Sequence, residues 1–373
     1  MNNESVTPLA PPIQRAERNM GIDLLRIVSM LMVVCLHVLG QGGVLNSISK
    51  TDATLAYSVA WFLEIASYCA VNCYAMISGY VGFRSKPKYS NIAVLWLQVV
   101  FYGVLFALLY YVFSPEAVNA NSFWAAVLPV TKRAYWYFTA YFCLFFFLPA
   151  INHLINTLPK KQAKGTFISI ILLFSVLYTV ARTSYLGSAV DDLLITNKGY
   201  SALWLALVYF IGGYIGKYRE DFGLPSALCI GIYFGAVVLT LLEKLLAQKS
   251  VLVGYTSPTI VACSIALILL FSSLKCNRGK RVIAFISPLT FGIYLIHVNP
   301  LVWVNFMKDR FVDYASYPVW KMLLAVLGTV IVIFVICSAI ELIRYYLFKL
   351  LHIKQSLTAL EKRLTSKDSE ANN

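Results

Sequence analysis

A cation and two imidazoles stand inside runs that otherwise belong in hydrocarbon. The stretch GIDLLRIVSMLMVVCLHVLG (21–40) carries Asp23, Arg26 and His37, and VIAFISPLTFGIYLIHVNPLVW (282–303) carries Tyr294 and His297. A charged residue at the centre of a membrane helix costs roughly 2.5–3.5 kcal/mol on insertion scales, so such groups have a partner or a task. The chemistry open to them is specific. An imidazole can take the proton from a hydroxyl, and a guanidinium can hold a phosphate or carboxylate in a fork. On a helix, Arg26 and His37 share one face about 16 Å apart, with Asp23 one turn before the arginine. His37 then stands roughly 24 Å and His297 roughly 21 Å along their helices, at matched depth, with Tyr294 one turn below His297. Snorkelling accounts equally well for Asp23 and Arg26, which are near a helix end. It does not account for His37.

A third run, AWFLEIASYCAVNCYAMISGYVGF (60–83), adds Glu64 in the half facing the histidines and Asn72 near its middle. A carboxylate there could orient His37, the arrangement used where histidine acts as a base; the outer headgroups are the other explanation. Ser78-Gly79-Tyr80 would let a ligand approach the backbone closely, or let two helices pack closely. Arg84, Lys86 and Lys88 follow, where topology alone would also put cations. The opposite side carries Tyr135-Trp136-Tyr137, Arg182 with Tyr185, and Asp191-Asp192. These read either as an interfacial aromatic belt or as the mouth of a sugar site, with ring faces edged by polar groups.

The elements that must position these residues follow from composition. The chain is 59% hydrophobic and 13% charged, with a mean hydropathy of +0.72, far from the roughly 25% charged residues of soluble domains. It is an all-α polytopic membrane protein with about ten predicted spans, at 21–42, 56–83, 91–113, 135–155, 166–186, 201–217, 225–246, 255–274, 283–304 and 319–343. Residues 1–18 read as a disordered tail, 19–350 as one membrane domain and 351–373 as a charged tail. The linkers after even-numbered spans, with both tails, hold twenty Lys and Arg against eight on the other side. Both termini are therefore expected in the cytoplasm, with the protein in the cell membrane. The formal net charge of +14 is topological in placement and excludes a nucleic-acid partner. The eight cysteines show no CxxC spacing; seven lie in apolar segments and Cys276 in a basic linker, and Cys69 and Cys73, one turn apart, read as buried free thiols. No P-loop, GxGxxG, HExxH or nucleophile-elbow pattern is present, and no metal is expected.

The Asp23–Arg26–His37 spacing resembles the signature of the acyltransferase-3 family of membrane-bound O-acyltransferases. The stretches CYAMISGYVGF, YWYFTAYF and GIYLIH are similar to three further motifs of that family. The resemblance implies acetyl-CoA or another acyl-CoA as co-substrate, with no tightly bound cofactor. It also implies a hydroxyl of an envelope polysaccharide or its lipid-linked precursor as acceptor, presented on the outer side. On this reading His37 is the general base, with Glu64, Tyr294 and His297 around it. Asp23, Arg26, Ser78, Arg84, Lys86 and Lys88 face the CoA, and Asn72, Trp136, Tyr137 and Arg182 face the acceptor. Tyr294 or Asn72 would steady the oxyanion. Many relatives carry an Arg-Arg pair after the Ser-Gly motif, where this chain has Arg84 and lysines. Without a fused hydrolase-type domain, the expectation is direct transfer or hand-over to a separate protein. A ten-span transporter or flippase of a lipid-linked sugar is the alternative.

Overall fold

A computed structural model describes residues 18–51, 53–183, 194–247 and 250–371. The N-terminal tail up to residue 17, Tyr185 and Asp191-Asp192 lie outside the described residues. No strand occurs among the described residues, and the long apolar runs are helices. The helices that matter here are α1 (Met20–Leu36), α2 (Thr54–Ser67), α3 (Ala70–Gly82), α4 (Tyr89–Phe113), α5 (Trp136–Thr157), α6 (Lys160–Ile171), α7 (Ala202–Lys217) and α8 (Ser226–Leu246). They are followed by α9 (Pro258–Ser273), α10 (Lys280–Ile286), α11 (Thr290–His297), α12 (Val319–Leu350) and α13 (Ile353–Ala371).

Among the described residues, seven helical stretches are long and apolar enough to cross a bilayer. An eighth is a bent pair, Lys280–His297 with Pro300–Ser316, at 59°. The break falls where Pro300, lacking an N–H, cannot continue the helix. The two other expected spans fold as 16-residue helices, α7 and α9. At 1.5 Å per residue each is about 24 Å long, short of a roughly 30 Å core. The expected ten therefore correspond to seven full spans, one bent span and two short central helices.

Small residues let α7 pass against α3 at backbone contact. A Cβ on Gly79 would stand 1.9 Å from the Tyr209 carbonyl oxygen, and one on Gly212 2.1 Å from that of Met76. Gly79 of the Ser-Gly motif therefore serves a helix crossing, as small residues do in membranes. The outward side of α12 is apolar and open, with Leu324, Ile331, Val335 and Ile343 all more than half exposed. This is the face of a helix whose solvent is lipid.

Two features of the far end were not expected. Arg344, counted with the C-terminal tail, is buried in α12 and paired with Glu341. Glu341 is 0% exposed and also accepts from Gln98 Nε2 (3.1 Å) and the Tyr102 hydroxyl (2.6 Å). Its carboxylate packs on Gly292 of α11, where a Cβ would meet it at 2.1 Å. The second feature is the tail itself, residues 353–371, which is a helix. Its amphipathic pattern places Ile353 and Leu357 half-buried while Lys354, Lys362 and Arg363 stay exposed.

Candidate active site

His37 stands where α1 changes its winding. After Leu36 the chain continues as a π-turn, His37–Gln41, and the Gly42 N–H donates to the His37 carbonyl at 2.7 Å, an i to i+5 bond. Such turns concentrate at functional sites. His37 Nδ1 lies 2.9 Å from His297 Nε2, and His297 Nδ1 lies 2.6 Å from the carbonyl oxygen of Ile293. A carbonyl only accepts, so His297 Nδ1 carries a hydrogen. With both imidazoles neutral, His297 Nε2 is then the acceptor and His37 Nδ1 the donor. The lone pair of His37 is left on Nε2, the nitrogen a general base would use.

Four spaces follow this face of α1. At the Arg26 end, a basin of about 500 Å³ is lined by Arg26, Ser78, Lys86, Lys88 and Tyr141. A neighbouring basin of about 590 Å³ shares Arg26 and adds Arg18, Asp23 and Arg84. In the middle is a narrow space of about 50 Å³ with walls of Met30, Val33, Leu36, Tyr74 and Phe291. Met30 and Val33 are one and two turns beyond Arg26, so α1 itself forms one wall from the arginine to the histidine. His37, Trp136, Tyr255 and Tyr294 close this space and also line an outer chamber of about 300 Å³ with Glu64, Tyr68, Tyr200 and Trp303.

The arginine is held by its own helix. Arg26 Nη1 donates to Asp23 Oδ1 at 2.8 Å and to Ser287 Oγ at 3.3 Å, and Ser287 Oγ donates to Asp23 Oδ1 at 3.0 Å. Arg18 pairs with the other Asp23 oxygen. The buried Asp23 fixes the guanidinium, and the donors it does not use face the two basins. The Tyr74 hydroxyl donates to the Arg26 carbonyl at 2.8 Å, tying α3 to α1 at this level.

A family model described as "Acyltransferase domain" matches residues 19–341. The chain belongs to the acyltransferase-3 family. The match takes in the lining of all these spaces except Arg18, Lys354 and Thr358. No curated protein and no solved structure matches the chain.

In this acyltransferase the fold brings together most of the residues singled out from sequence. His37, Glu64, Tyr294 and Trp136 share the outer chamber, and Tyr137 lines the narrow space beside His37. His297 is held directly behind His37. Arg26, Ser78, Lys86 and Lys88 share the first basin, while Arg84 faces the second with Asp23. Two residues are not brought there. Asn72 is 0% exposed, its Oδ1 accepts from Trp204 Nε1 (3.0 Å), and its Nδ2 donates to the Tyr255 carbonyl (2.7 Å). Its amide is engaged with Trp204 of α7 and the Tyr255 carbonyl, and it lines none of the spaces around His37. Arg182 does not line the chamber itself but stands at its edge, 6.0 Å over the Tyr178 ring and beside Gly254, close enough for its charge to act on Tyr68.

The role expected of Glu64 also shifts. The nitrogen of His37 that a carboxylate would orient is taken by His297. Glu64 is 8% exposed, and its Oε2 is buried without a hydrogen-bond partner. Sequence reasoning missed Trp303, whose ring meets His37 edge-on with centroids 5.1 Å apart. It also missed Tyr200 and Tyr255, which stand beside Trp136. The available signal was the break at Asn299-Pro300, which turns the residues after His297 back across the site.

Proposed function

We propose that this acyltransferase moves an acyl group, acetyl, from acyl-CoA entering at the cytoplasmic side to a hydroxyl of an envelope polysaccharide or its lipid-linked precursor. The observation that carries the reading is the position of His37. It stands where the narrow space meets the outer chamber, with its free lone pair on Nε2. A pantetheine arm has about the length of the 16 Å from Arg26 to His37 along α1. Arg26, Lys86 and Lys88 supply donors for the phosphates at one end, and the apolar walls of the narrow space suit the arm.

The acceptor hydroxyl gives its proton to His37 Nε2 as its oxygen attacks the thioester carbonyl. The charge that develops on His37 is shared through its Nδ1–H with His297, itself fixed on the Ile293 carbonyl. Tyr294 is the hydroxyl placed to donate to the oxyanion. Collapse of the tetrahedral intermediate breaks the carbon–sulfur bond, and the thiolate leaves with the proton from His37. Trp136, Tyr200, Tyr255 and Trp303 offer ring faces to a sugar, and the open oxygen of Glu64 accepts from a second acceptor hydroxyl.

The test is acetyl transfer from labelled acetyl-CoA by the purified full chain in proteoliposomes. His37→Ala should abolish transfer while the protein elutes as a folded species, and retained turnover overturns the base assignment. Arg26→Ala should weaken acyl-CoA binding with a smaller effect on turnover. Mass spectrometry of envelope glycans with and without the gene identifies the acceptor.

A further inference from the structure

The C-terminal helix α13 lies beyond the matched family region, yet Lys354 and Thr358 line the same basin as Arg26, Ser78, Lys86 and Lys88. Lys354, Thr358 and Glu361 stand at i, i+4 and i+7, one face of the helix. The third of them fixes the other two in place. Glu361 accepts from the backbone N–H groups of Tyr89 (2.7 Å) and Ser90 (3.3 Å), the first residues of α4. Lys88, which precedes them, makes no side-chain cap of its own. Glu361 therefore caps α4 from another helix, where a carboxylate is favoured by the N–H groups and the helix dipole. The Ser90 side chain, and after it the backbone N–H groups of Tyr89 and Ser90, hold its carboxyl below the usual carboxylate range. Since Lys88 lines the basin itself, the docking point is on the basin rim.

We infer that α13 is a wall of the donor site, with Lys354 a binding residue for a phosphate of the acyl-CoA and Glu361 the positioning residue that docks it. The inference rests on the donor reading above. Four cations from three parts of the chain converge here: Arg26 from α1, Lys86 and Lys88 from the linker before α4, and Lys354 from α13. The matched family region, ending at residue 341, holds only three of them; Lys354 completes the set. Phosphate is the chemistry they share an interest in, and a lysine contributes a mobile point charge to it.

Equilibrium binding of acetyl-CoA to the full chain in phosphatidylcholine nanodiscs, which hold no anionic headgroup, tests this. Lys354→Ala should weaken binding about fivefold, the upper scale of an exposed ion pair, Lys354→Glu should weaken it further, and Lys354→Arg should retain it. Glu361→Ala, which touches no ligand, should weaken binding similarly. The double variant should be no weaker than either single one, since both remove the same contact. Unchanged affinity in Lys354→Ala overturns the inference while leaving the donor reading intact. An effect that appears only in discs containing phosphatidylglycerol assigns Lys354 to lipid and equally overturns it. No binding of acetyl-CoA by the unaltered chain removes the donor reading itself.

Discussion

Two glutamates lie buried in this membrane protein, and they differ in everything except residue type. Glu341 is saturated: Gln98, Tyr102 and Arg344 all donate to it, and it fills the space beside Gly292. Glu64 is open, with Oε2 unpartnered at the edge of a chamber shared with His37. A buried acceptor without a partner is a standing cost of about 1–3 kcal/mol. Such a cost is tolerated where a ligand removes it. A saturated carboxylate binds together the helices around it, and an open one awaits a molecule.

The contrast fails or holds on substitution. Glu341→Ala leaves the Arg344 guanidinium buried and unpaired, at a cost of about 3–5 kcal/mol. The expected result is loss of folded protein from detergent extracts, read by fluorescence size exclusion. Glu64→Leu removes an unsatisfied group and should leave thermal stability equal or raised. The same change should cut kcat/KM for the acceptor by roughly threefold to tenfold, the scale of a hydrogen bond to a neutral group. If Glu64→Leu unfolds the protein, the two glutamates are alike and the contrast is lost. Tyr102→Phe should lower stability by about 1–3 kcal/mol with acceptor KM unchanged. Smallest of all, Glu64→Gln keeps an acceptor oxygen and should raise acceptor KM only a few-fold, seen in initial rates.

The helices were readable because each span is an apolar run bounded by charges. The face shared by Arg26, Met30, Val33 and His37 was readable because a helix repeats every 3.6 residues. What could not be read depends on neighbours distant in sequence. Asn72 looked functional, as a polar residue in hydrocarbon does, but Trp204 and the Tyr255 carbonyl satisfy it. Glu64 looked like the partner of His37 until His297 took that nitrogen. Arg344 read as a topology signal although Glu341 stands one turn before it on the same helix, because Gln98 and Tyr102, which close over that pair, come from α4. The C-terminal helix read as a tail because its docking point is two N–H groups of α4, and backbone leaves no trace in composition.

The histidine pair ends on a peptide carbonyl, and that ending has a consequence for the proton. A carbonyl oxygen accepts a hydrogen bond but does not take the proton, so the His297 Nδ1–H stays where it is. A base at His37 must therefore return its proton through the same nitrogen that collected it. The histidine pair is a dead end for protons at this point. A hydroxyl deprotonated at His37 would not have its proton relayed onward through the protein.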